Sequence, residues 1–246
     1  MKINYDTNSL NKIAENYHLN KEVLDKGFDR HFHQLCFEWM KSYLNPKFKI
    51  LEMGYGEGNV TKNLLSLGMK VDILEGSKLL SESARQEYGQ SINVINSLFE
   101  DFTPDCQYDV IIATNILEHV DNPINVLNCI HKWCNSNTIV IVTVPNAESI
   151  HRRLAVLMNI QPSIYTLSPR DLIVGHQRVY DFSRLESEIN ESGFKIINKK
   201  GFLLKVLPNS LLMNFDQDLI NAFYSISDQI DFKFLADIGI IIKKQG

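Results

Sequence analysis

Three glycines in five positions, Gly54-Tyr55-Gly56-Glu57-Gly58, follow directly behind the apolar run KILEM. A strand ending in such a turn lets a ligand come close to the backbone, because glycine lacks the Cβ that would block it. Glu52 precedes the loop by two residues, and Glu75 closes KVDILEG 21 positions after Gly54 (75 − 54). Further on stand Asn115, Glu118 and His119 in NILEH, then His151, Arg152 and Arg153 in AESIHRRL, then His176, Arg178 and Tyr180 in GHQRVYDF. These are side chains that move protons, hold cations or grip anions.

The loop and Glu75 together point to an adenosine-containing ligand, since an acid at that distance accepts hydrogen bonds from ribose hydroxyls. A dinucleotide fits poorly. Asn59 stands where the fingerprint GxGxxG needs its last glycine, and Glu52 would repel a pyrophosphate. An ammonium group beside Glu52 would instead be attracted, and S-adenosylmethionine carries an ammonium, a ribose and a sulfonium.

His119 is the candidate base for an acceptor that must lose a proton, with His176 as a second catalytic candidate. Spacings of three and four residues would bring Asn115, Glu118 and His119 to one side of a helical turn, where His176 could complete a divalent metal site. Asn115 contributes no charge to such a set, and no metal is assigned. His151, Arg152, Arg178 and Tyr180 form the expected substrate-binding group, because guanidinium forks pair with phosphate or carboxylate. The acceptor is therefore expected to be a small anionic molecule.

The elements that must position these groups alternate along the chain. Residues 9–44 read as helical and stop near Asn45-Pro46. Apolar runs follow at Lys49–Met53, Lys70–Leu74, Ile92–Ile95, Asp109–Ala113 and Thr138–Val144, with amphipathic stretches at Asn59–Leu67, Lys78–Tyr88 and Pro123–Trp133. This is the rhythm of βαβ units and a largely parallel sheet covered by helices. A helix is expected at Phe182–Ser192 with Gly193 as its stop, a strand at Phe194–Lys199, a helix at Asn209–Ser225 and a last strand at Phe234–Ile242. The expected organisation is a single domain over 1–246, with a helical cap at 1–45 and an acceptor-side insert at 146–180.

The 246 residues can bury a full core, with 44% hydrophobic and 22% charged residues. A net charge of −4 argues against a dedicated nucleic-acid binder. The polar start MKINYDTNSLNK has no signal-peptide core, and no apolar run is long enough for a membrane span. A cytoplasmic monomer or homodimer without stable membrane association is expected. Cys36, Cys106, Cys129 and Cys134 show no zinc-ligand spacing and read as reduced.

The sequence resembles the class I S-adenosylmethionine-dependent methyltransferases. Their acid-x-Gly-x-Gly-x-Gly motif stands here as EMGYGEG and their ribose acid as Glu75. The likeness continues through NSLFEDF, YDVIIATNILEHVDNP and VIVTVPN, covering roughly residues 48–200. The resemblance implies an α/β, Rossmann-like fold: a mostly parallel seven-stranded sheet, helices on both faces and an antiparallel last strand. It implies S-adenosyl-L-methionine as cofactor, held by Glu52, Gly54, Tyr55, Gly56, Gly58, Glu75, Gly76, Ser97, Leu98, Phe99 and Asn115.

The EHV element is similar to that of ubiquinone-biosynthesis O-methyltransferases and favours oxygen as acceptor. Small-RNA 3′-end methyltransferases carry a similar Glu-x-x-Glu-His with a later histidine, but Asn115 replaces the first glutamate. VPNAESIHRRL and GHQRVY resemble methyltransferases encoded with surface-polysaccharide genes. The expected function is thus O-methylation of a sugar, nucleotide-linked or phosphorylated acceptor in surface-glycan biosynthesis. A phenol of quinone biosynthesis is the alternative, and a non-catalytic cofactor-binding scaffold the third reading.

Overall fold

The computed structural model describes residues 6–23, 26–212 and 214–245. The expected helices 9–44 and 209–225 and the cap at 1–45 extend over residues that lie outside the described ones. Asp6 caps α1 (Thr7–Ile13) through a capping box with Ser9, and a π turn over Ala14–His18 follows. The continuous helix expected over 9–44 is broken after that turn. The Asn20 side chain accepts a hydrogen bond from the backbone of Glu22 at 2.9 Å, a local bond that competes with helix continuation. The helical pattern resumes as α2 (Lys26–Met40).

Seven strands then form one sheet: β1 (Lys49–Met53), β2 (Lys70–Glu75), β3 (Asn93–Asn96), β4 (Val110–Thr114), β5 (Ile139–Pro145), β6 (Phe194–Phe202) and β7 (Asp237–Lys244). Their order is β3-β2-β1-β4-β5-β7-β6, parallel except for β7, which runs antiparallel to both its neighbours. The strand order reverses at β1, so a crevice opens beyond the carboxyl ends of β1 and β4.

Between the strands lie α3 (Asn59–Ser66), α4 (Lys78–Tyr88) and α5 (Pro123–Trp133). Asn122 caps α5 with Pro123 at its first turn, the arrangement that pre-sets a helix start. The insert folds into α6 (Ile150–Leu157) and α7 (Pro169–Ile173). Next comes α8 (Phe182–Glu191), capped by Asp181 and followed by Gly193 at φ 76°. The helix expected over 209–225 is two pieces, α9 (Asn209–Leu212) and α10 (Gln217–Ser225), because Asp216 caps a new start on the Leu219 N–H.

Val110–Ala113 and Val140–Val144 are buried on both faces, as a central parallel strand requires. One apolar cluster joins the sheet to α5 and α8, the other joins it to α2, α3 and α4. Among the described residues no helix is long and apolar enough to cross a membrane.

Candidate active site

The glycine loop leaves β1 with Gly54 at φ 75°, Gly56 at φ 54° and Gly58 at φ 70°, a region that side chains rarely enter. At Gly54 a Cβ would also lie 2.8 Å from Cδ1 of Ile116, so that side chain would have to shift. Gly58 sits under the Tyr55 ring, whose hydroxyl donates to Glu87 at 2.8 Å. Behind the loop a cavity of about 310 Å³ opens, within the size range of small-ligand sites.

Glu52 is buried in its wall and accepts a hydrogen bond from the Thr61 hydroxyl at 2.6 Å. Burial pushes its carboxyl up to about 8, against the Thr61 hydrogen bonds that lower it. Glu75 is buried at the end of β2, where its carboxylate accepts from the Tyr55 N–H at 2.8 Å and the Ser77 N–H at 2.7 Å. It thus ties the glycine loop to the start of α4. Burial raises its carboxyl too, opposed by those backbone bonds.

Glu52, Gly54, Tyr55, Gly56, Glu75, Gly76, Phe99 and Asn115 all line the cavity. Gly58, Ser97 and Leu98, named with them from the sequence, stand outside its lining. The Ser97 hydroxyl donates to the Leu98 carbonyl at 3.0 Å, and the Leu98 side chain backs Gly76.

His119 and His176 also line the cavity and converge with the buried Glu118, the three offering ligand atoms all within 4.8 Å of one another. The two imidazole rings meet edge to face at 4.7 Å between centroids. Burial and the charge of His176 drive His119 well below the usual histidine range, so at neutral pH it carries a lone pair. Glu118 is fully buried, burial pushes its carboxyl well up, and neither of its oxygens has a hydrogen-bond partner among the described residues. An orphaned carboxylate beside two imidazoles is a donor set that suits a divalent cation.

Asn115 does not join this set. Residues 115–120 form turns in place of the expected helical face, and the Asn115 side-chain oxygen accepts from Thr143 at 2.9 Å. The residue holds φ 53°, a strained position on the cavity lining.

The expected anion-gripping group separates. His151 and Arg152 line the cavity, but Arg152 is buried and ion-paired to Asp171 at 2.7 Å, with a further bond to the Thr166 carbonyl at 2.8 Å. Arg178 lies elsewhere: its guanidinium donates to the carbonyls of Leu117 at 2.7 Å, Val120, and Asp121 at 3.1 Å. It fastens the turns that carry Glu118 and His119. Tyr180 is fully buried and donates to Glu188 at 2.8 Å. Neither Arg178 nor Tyr180 lines the cavity, and both are fully engaged within the fold.

Sequence reasoning missed the near wall. His18 pairs with Glu57 at 2.8 Å over the glycine loop, and Arg170 donates to the Tyr17 hydroxyl at 2.7 Å, joining the first turns of the chain to the insert. No motif marked these residues. Asp171 was legible only as the third position of the cap Ser168-Pro169-Arg170-Asp171, which it completes.

Fold and site define an S-adenosylmethionine-dependent methyltransferase of the class I type, with the cofactor crevice beyond β1 and β4. The methyltransferase domain family matches residues 19–199, and the chain belongs to it. A ubiquinone biosynthesis O-methyltransferase of Rickettsia typhi is 26% identical over 211 residues, 80% of this chain and 81% of the relative. The CcbJ methyltransferase of Streptomyces caelestis superposes with a TM-score of 0.66 at 14% identity, over 98% of this chain and all of the other. Magnesium protoporphyrin IX methyltransferase of Synechocystis PCC 6803, solved with bound S-adenosylhomocysteine, gives 0.62 at 13% identity over 98% and 96%.

If Glu52 faces the cofactor's ammonium group, binding must ionise it. The carboxyl is mostly protonated in the free protein at pH 7, below its value of about 8, and a neighbouring cation lowers that value. Calorimetry at pH 7 in two buffers of different ionisation enthalpy should therefore register release of close to one proton per S-adenosylmethionine bound. Equal enthalpies in both buffers would place the ammonium elsewhere.

Proposed function

We propose that the protein transfers the methyl group to a hydroxyl oxygen of a small aromatic acceptor. The observation that carries this is His119, a neutral, half-buried imidazole packed on His176 in the lining of the same cavity as the glycine loop. A phenolic oxygen must lose its proton to become an effective nucleophile, and an imidazole at the cavity wall is suited to take it. The likeness to a ubiquinone biosynthesis O-methyltransferase over four-fifths of the chain supports an aromatic hydroxyl. The sugar or phosphorylated acceptor of surface-glycan biosynthesis has less support. It rested on arginines, and Arg178 and Arg152 spend their donors on carbonyls and on Asp171.

When bound, S-adenosylmethionine supplies a methyl group on a sulfonium that a nucleophile displaces in line. The residues that would hold it are Glu52 for the ammonium, Glu75 for the ribose hydroxyls and Phe99 for the adenine, with Gly54 and Gly56 leaving room at the backbone. His119 takes the acceptor proton. The insert, with His151, Val174 and His176 on the cavity, covers the acceptor.

A second reading adds a divalent cation at Glu118, His119 and His176, favoured by the unpartnered Glu118 carboxylate. A bound cation would lower the acceptor hydroxyl's pKa in place of a base. Both readings are tested by incubating the protein with methyl-labelled S-adenosylmethionine and a panel of catechols and phenols, before and after chelation. Label on an aromatic oxygen is expected, and label on nitrogen or carbon alone would overturn the proposal. The cation reading expects a loss of about tenfold or more on chelation, restored by magnesium, manganese or zinc; unchanged turnover in metal-free protein removes it.

A further inference from the structure

We propose that the outer end of α6 is the contact through which two copies of this chain pair across a two-fold axis. Leu154, Leu157 and Met158 stand at spacings of three and four residues, so they share one side of the helix. Such a stripe normally faces a core, yet here Leu157 is 78% and Met158 64% exposed. The buried face is the charged one. Arg152 points inward, ion-paired to Asp171 at 2.7 Å and donating to the Thr166 carbonyl at 2.8 Å. The helix is thus inverted, with its ion pair inside and its leucines in water.

The way α6 ends fixes this surface. The Asn159 N–H donates to the Val156 carbonyl at 3.0 Å and the Ile160 N–H to the Ala155 carbonyl at 2.9 Å, with Asn159 at φ 55°. These paired bonds around a left-handed residue form a Schellman stop, which folds the following residue back towards the last turn and the side of Leu154. Ile160 is 69% exposed all the same. The Gln161 amide donates to the Arg152 carbonyl at 3.2 Å and holds the next stretch of chain in place. Four apolar side chains are therefore carried on a fixed backbone, and little freedom is left to lose on association.

Charge decides the occupant. Residues 133–194 contain no lysine, and each of their five arginines is engaged within the chain: Arg152 with Asp171, Arg153 with Glu148, Arg170 with Tyr17, Arg178 with carbonyls and Arg184 with Glu188. An anionic lipid surface recruits clustered basic residues, and a foreign protein is steered by complementary charge. The end of α6 offers neither. An uncharged apolar face is complementary to itself, the condition for an isologous two-fold contact. Its four residues expose roughly 500 Å², so two copies would bury about 1,000 Å², the size at which a specific interface begins.

Sedimentation equilibrium of the full chain, loaded between about 1 and 100 μM, reads the pairing, since a contact of this size associates in the micromolar range. The mass should rise from that of one chain towards twice that value. Leu157→Glu, which brings two like charges to the contact, should weaken the dimer at least about tenfold, and Ile160→Glu should do the same. Both residues are exposed and stand outside the cavity lining, so affinity for S-adenosylhomocysteine should match the wild type and show that the variants fold.

A wild-type chain that stays monomeric at the highest loading overturns the proposal, as does a dimer that neither substitution weakens. Co-sedimentation of a monomeric wild type with phosphatidylglycerol vesicles would assign the face to lipid and overturn it as well. Should the variants fail to fold, hydrogen exchange of the wild type decides. Protection at residues 154–160 that grows with protein concentration supports the contact, and exchange there that is independent of concentration overturns it.

Discussion

Glu75→Ala should weaken S-adenosylmethionine binding on the order of 100-fold, measured by calorimetry on folded protein. Each carboxylate oxygen already accepts one backbone N–H, at 2.8 Å from Tyr55 and 2.7 Å from Ser77, and each keeps a lone pair for a further donor. Two hydrogen bonds from ribose hydroxyls to a charged acceptor contribute at least about 3 kcal/mol together, which is roughly a hundredfold in affinity. The truncation also orphans two buried N–H groups at about 1–3 kcal/mol each, so a lowered Tm should accompany the lost affinity. A folded Glu75→Ala protein with wild-type affinity would remove this acid from the cofactor site.

His119→Ala should lower kcat by about 10²- to 10⁴-fold on the true acceptor, the usual contribution of a positioned base. Cofactor affinity should stay within a few fold, because Glu52 and Glu75 lie on the β1–β2 side of the cavity and make no bond to His119. The comparison that separates base from cation ligand is Glu118→Gln. Its carboxylate has no hydrogen-bond partner among the described residues, so as a bystander it should tolerate the amide, and as a cation ligand it should not. Wild-type turnover in His119→Ala would end its role as base or ligand.

Much of the fold is legible in the chain because its signals are local. Apolar runs bounded by turns located all seven strands to within a few residues, and Lys78–Tyr88 and Pro123–Trp133 emerge as helices with the expected limits. The glycine loop announced itself through three positions of positive φ that other residues avoid. The missed breaks were also local: an Asn20 turn and an Asp216 cap that a helical pattern of mixed polarity concealed.

The site divides along the same line. Glu52, the glycine loop and Glu75 occupy strand ends whose geometry belongs to the βαβ unit, so residue type and spacing alone locate them. The acceptor side could not be read that way, because its partners come from distant parts of the chain. Arg178 looked like an anion contact until three carbonyls 57 to 61 residues away claimed its donors. Arg170 meets Tyr17 across 153 residues, and Asp171 reaches His176 and Arg152 at once. A cofactor crevice follows from local backbone conformation and survives in the sequence as a motif. Whether an arginine holds a substrate or a carbonyl depends on which distant groups folding brings to it, and no spacing along the chain records that competition.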